Sequence, residues 1–103
     1  MGKNNIIKSL SRVIANISLH KLIVIHTNRP ESRHFLESEI IEYRSLAYAK
    51  SQEFNWNDAD KELIKNLSLK FLKNMRKNRY LDISFSDNEA EKVVLDTIKS
   101  LLG

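Results

Sequence analysis

Two glycines and one proline in 103 residues constrain the fold more than any other feature of this chain. β-Turns draw most heavily on these two residue types, so a sandwich or barrel of many short strands would lack the means to turn. Helices make no such demand. The chain is 42% hydrophobic and 29% charged, close to folded soluble domains and far from disordered chains. Its length suits a single domain, since these run to roughly 100–150 residues. Cysteine is absent, which excludes disulfides, thiolate metal sites and a cysteine nucleophile together.

Apolar spacing then places the helices. Ile6, Ile7, Leu10, Val13, Ile14 and Ile17 recur at three- and four-residue intervals and cover about 120° of a helical wheel. Beyond them Leu19, Leu22, Ile23, Val24 and Ile25 point all round the wheel, as a deeply buried helical turn or a short strand would. Helix is preferred, because Asn28-Arg29-Pro30-Glu31 reads as a capping box that opens a second helix. That helix is predicted from about Arg29 to Gln52, with Phe35, Leu36, Ile40, Tyr43, Leu46 and Ala47 inward and Glu39 and Lys50 in the same arc. Asn57 or Asp58 starts a third, with Leu63, Ile64, Leu67, Phe71 and Met75 inward. Residues 80–85 alternate polar and apolar and read as extended. Ser86 to Glu89 form another capping box before a fourth helix that buries Val93, Val94, Leu95, Ile98, Leu101 and Leu102. The expectation is an all-α, up-and-down four-helix bundle, one domain over 1–103, with an extended segment at about 80–85.

The net charge of +4 and pI of 9.4 suggest an anionic partner. The excess is uneven, however. Residues 1–30 carry five bases and no acid, 31–62 eight acids against four bases, 63–80 six bases and no acid, and 81–103 five acids against two bases. In a bundle whose neighbours follow chain order, each helix would lie beside two of opposite sign, so the blocks are expected to act as one another's counterions.

Two functional readings follow. Lys65, Lys70, Lys73, Arg76 and Lys77 lie opposite the third helix's core stripe, and Arg79 and Tyr80 extend that face. Such a face can track a phosphate backbone while Tyr80 stacks on a base. Leu69 interrupts the arc, though, and no zinc-finger spacing, aromatic RNA-binding strand or helix-turn-helix accompanies it. The favoured reading comes from apolar residues facing away from their own stripes: Leu19 and Ile23 on the first helix, Ile41 and Tyr48 on the second, Leu69 on the third. They predict an interface for a homodimer or another protein partner, unless the bundle is splayed so that one helix packs on two sides. The chain is thus expected to be a non-enzymatic interaction or regulatory module, with nucleic-acid binding the alternative.

Glu39, a carboxylate inside an apolar arc, is expected to be a buried charge paired with Lys21 or Lys3. No catalytic site, metal site or cofactor is predicted. His20, His26 and His34 are the only histidines, and His34 with Glu37 at i, i+3 is an ordinary pair on a solvated helix. The longest apolar run, Leu22 to Ile25, is far short of the ~20 residues of a membrane span. The amphipathic, acid-free N-terminal stretch has some likeness to a transit peptide, but its apolar face is wide enough for a core and the bundle needs it. A cytoplasmic location is expected.

Overall fold

Helices α1 (Lys3–His26), α2 (Pro30–Ser51), α3 (Asp58–Arg79) and α4 (Asp87–Leu102) build an all-α four-helix bundle. The computed structural model describes residues 2–26, 30–79 and 85–102, with backbone alone at 30–32 and 76–79. Residues 19–26 continue α1 as helix. Asn28, Arg29 and the Glu31 side chain of the expected cap, and most of the extended segment, 80–84, lie outside the described residues; Phe85 is non-helical and buried.

Both glycines are near-terminal, at positions 2 and 103, so the helix ends rest on side chains. Asn57 Oδ1 accepts from the Asp60 amide at 2.8 Å while the Asp60 carboxylate accepts from the Asn57 amide at 3.2 Å, a two-way cap on α3. On α4 the box is one-sided: Ser86 Oγ accepts from the Glu89 amide at 3.1 Å, but the Glu89 carboxylate turns instead to His26 at 2.9 Å. At the end of α2 the Trp56 indole N–H donates to the Ser51 carbonyl at 2.8 Å, satisfying a group the helix leaves open.

Cross-helix pairs fix the directions. His20 with Glu39 and Arg33 with the Val24 carbonyl set α1 and α2 antiparallel. Lys3 with Asp60 and Ser11 with Ser68 set α1 and α3 parallel. Lys21 with Thr97 and His26 with Glu89 make α4 antiparallel to α1, and Lys65 with Glu91 makes it antiparallel to α3. The helices therefore run up, down, up, down. Their order around the bundle is not chain order, however. α1 packs against all three others, whereas α2 and α3 do not meet among the described residues, and α2 touches α4 only thinly.

The expected ring is thus corrected to α1, α2, α4, α3, with α1 also reaching α4 across the middle. The cause lies in α1 itself, whose apolar residues occupy most of its circumference; only a position between several neighbours removes them all from water. The 52–57 connection crosses the diagonal over the start of α1, where Lys3 donates to the Asn55 carbonyl at 2.9 Å and lies 5.4 Å from the Trp56 ring centre.

This order also corrects the expected charge scheme. Basic α1 lies beside basic α3, and acidic α2 beside acidic α4. The like-charged contact of α1 with α3 is made by other groups: Ser68 Oγ donates to the Ser11 carbonyl at 3.3 Å, Arg12 lies 5.2 Å from the Phe71 ring centre, and Lys3 pairs with the acidic first turn of α3. Counterion pairing holds between α3 and α4, through Lys65 with Glu91 and Lys73 with Asp87.

Leu10, Ile14, Ile17 and Leu22 of α1 form the centre of the core with Ile64, Leu72 and Val94. Four residues expected inward are exposed instead: Phe35 and Leu46 on α2, Leu63 on α3, Leu95 on α4. Leu72 and Ser68 are fully buried on α3, and Ala90 and Thr97 on α4, because α1 and α4 approach α3 from two sides and turn its inner face toward the line 64, 68, 72. Buried hydroxyls are satisfied locally, Ser11 donating to the Ile7 carbonyl at 2.7 Å and Ser18 to the Ile14 carbonyl at 2.8 Å. Among the described residues no helix is long and apolar enough to cross a membrane.

Candidate interaction surface

α2 is the helix least absorbed by the fold. It seats a narrow stripe, Leu36, Ile40, Tyr43 and Ala47, and among these only Ala47 is fully buried. With one broad neighbour and one thin one, a helix can cover only a limited arc, so apolar residues about 90° or more from the midline of the stripe remain in water. Four large ones do. Ile41 is 67% exposed and Tyr48 58% on one flank; Phe35 is 64% exposed and Leu46 55% on the other.

The first flank forms one wall of a groove. Ile41, Arg44, Ser45 and Tyr48 face Ser100 and Leu101 of α4 across a depression of about 490 Å³. Arg44 spans it, donating from Nη2 to Ser100 Oγ at 2.6 Å. A second depression of about 290 Å³ lies further along the α2–α4 seam, lined by Lys21, Val24, Ile25, Ile40, Val93 and Asp96. Here the Lys21 ammonium donates to Thr97 Oγ1 at 2.9 Å. Burial, followed by the nearby Arg44 charge, holds it below the usual lysine range, with Asp96 opposing.

Of the residues expected at a partner interface, Ile41 and Tyr48 are therefore exposed and adjacent to one groove. Leu19 and Ile23 are not: they are 2% and 8% exposed and belong to the core. Leu69 is half-buried against that core. The splayed arrangement accounts for Leu19 and Ile23, because α1, with three neighbours, has no back; Leu69 is half-covered because α3 packs on two sides, against α1 and α4. Phe35 and Leu46, expected in the core, join the surface.

Glu39 is half-buried, but its partner is neither Lys21 nor Lys3. It meets His20 Nε2 at 2.6 Å, while His20 Nδ1 faces the Asn16 carbonyl at 2.7 Å and the ring lies 5.4 Å from Tyr43. Lys3 is held by Asp60 and Lys21 by Thr97. The α1–α2 hairpin decides the pairing: in antiparallel helices only three residues apart in the chain, residues at similar distances from the connection face each other, which brings 20 close to 39.

The basic face of α3 divides. Lys65 pairs with Glu62 at 3.2 Å and Glu91 at 3.6 Å, and the hydrogen bond to Glu62 in particular raises its affinity for its proton. Lys73 lies 3.8 Å from Asp87, and Lys70 is exposed. The side chains of Arg76, Lys77 and Arg79, and Tyr80 altogether, lie outside the described residues.

The chain matches no protein-family model, no curated protein and no solved structure.

Proposed function

We propose that this protein is a non-enzymatic interaction module whose contact surface is the outside of α2. One observation supports this above others: a helix attached to the bundle by a narrow stripe carries four of the large apolar side chains left in water, in two pairs, one of them beside a groove. Isolated exposed leucines are ordinary, whereas paired ridges beside a depression characterise docking faces. The partner is a second copy of the chain or another protein. A cytoplasmic setting fits a chain whose stability draws nothing from disulfides.

The alternative, nucleic-acid binding through α3, would use a face on which Lys65 and Lys73 are already engaged with carboxylates. Site-specific photocrosslinking in the cells that make the protein separates the two. Probes replacing Tyr48 and Phe35 are expected to yield protein adducts, and a probe at Lys70 none. Nucleic-acid adducts from position 70, with none from α2, would overturn the interaction reading in favour of the alternative.

A further inference from the structure

The groove-side flank of α2 is complementary to itself. His34, Glu37, Ile41, Arg44 and Tyr48 recur at three- and four-residue steps, so they share one line along the helix. All are exposed except Arg44, which is half-buried. Ile41, the most exposed large apolar residue described, stands at the middle. Glu37 lies about 6 Å to one side of it along the axis and Arg44 about 4.5 Å to the other, at 1.5 Å per residue. Among the described residues neither charge has an ion-pair partner, and the hydrogen bond of Arg44 goes to a neutral hydroxyl.

We propose that a second copy of this chain docks here, with the two α2 helices antiparallel about a twofold axis beside Ile41. This rests on the α2 surface proposed above and names its occupant. An isologous contact requires that whatever one copy presents above the axis, the other accepts below it. The line meets that requirement. Ile41 meets its own counterpart on the axis, Glu37 of each copy comes level with Arg44 of the other, and Tyr48 comes level with His34. Two charges unmatched within one chain are matched twice in the pair. Wrong registers place glutamate against glutamate or arginine against arginine, so the same residues that join the copies also set their alignment. The basic helices α1 and α3 have no part in the contact, and α3 occupies the opposite corner of the bundle.

Sedimentation equilibrium over about a hundredfold range of concentration, with circular dichroism as a check on folding, tests the proposal. The wild-type chain is expected to form a dimer. Ile41→Asp should abolish it at concentrations where the wild type is paired. Arg44→Glu and Glu37→Arg should each weaken it about tenfold or more by setting like charges face to face, and the double variant Glu37→Arg with Arg44→Glu should recover to within about threefold. All of these positions lie at the surface, and recovery in the double variant cannot come from misfolding. A wild-type monomer at every concentration, a dimer indifferent to Ile41→Asp, or single charge reversals that the double variant fails to rescue would each overturn self-pairing. Protein adducts at Tyr48 to a different chain, found alongside a monomeric wild type, would overturn the second copy as occupant and leave the α2 surface standing.

Discussion

α1 and α2 are nearly equal in length, are only three residues apart in the chain and pack along each other, yet they differ most in how far the bundle encloses them. Buried residues run nearly the whole of α1, including Ser11, Ser18 and His20, whereas α2 fully buries little beyond Ala47 and Ser51. Composition accounts for part of the contrast, since α1 is apolar around most of its circumference, but α2 has large apolar side chains of its own that stay in water. The number of neighbours accounts for those: α1 has three and α2 in effect one. A residue's burial is therefore a property of its helix's place in the bundle as much as of its own chemistry.

Truncation should expose that difference most sharply. Leu10→Ala or Ile14→Ala is expected to cost about 2–5 kcal/mol, the range for a fully enclosed aliphatic side chain, whereas Phe35→Ala should stay within about 0.5 kcal/mol. Urea unfolding followed by Trp56 fluorescence measures both. An equally large loss at Phe35 would mean that the outer face of α2 is packed, and the contrast would fail. Next in size is Ser68→Leu, which drives a bulky side chain into the close approach of α3 to α1 and should cost about 1–3 kcal/mol. The same change at Ser45, on the exposed side of α2, should cost little, and both are read from the urea midpoint.

A smaller effect, about 1 kcal/mol, is expected for Glu39→Ala, which leaves a buried imidazole nitrogen without its protein acceptor. Glu39→Gln keeps an oxygen in place and should recover part of the loss. If Glu39→Ala were neutral, the attachment of α2 to α1 would be wholly apolar. Smallest is Asp60→Asn, whose effect should depend on pH. The hydrogen bond from Lys3, then that from the Asn57 amide, hold the Asp60 carboxyl below its ordinary value of 3.8. A carboxyl lowered by folding stabilises the fold above its unfolded value, and that contribution fades as pH falls through the folded value. Wild type should thus exceed the variant near neutrality and converge with it in acid, as measured by thermal melts across the range.

Much of the fold was legible because three- and four-residue apolar spacing specifies helices directly, and the polar residues at 57–60 and 86–89 mark where two of them start. The order around the bundle was not. A wheel shows which face of a helix is apolar but not how many neighbours it will meet, so Leu19 and Ile23 were assigned to a surface that α1 does not possess. The same blindness sent Phe35 and Leu46 inward, since they sit at the edge of a stripe that two broad neighbours would have covered and one does not. Ile41 and Tyr48 were legible as surface because they lie opposite their stripe and no packing of α2 short of full enclosure could hide them. Glu39 was legible as unusual, but its partner depended on the register of the α1–α2 hairpin.

The central position of α1 has a further consequence for the newborn chain. Of the four helices α1 is made first, and the surfaces that will cover it arrive in turn, α2 three residues later, then α3 and α4. The α1–α2 hairpin is local and can close early, but the faces of α1 meant for α3 and α4 stay open until most of the chain has been made. The segment most in need of cover is thus the one that waits longest for it.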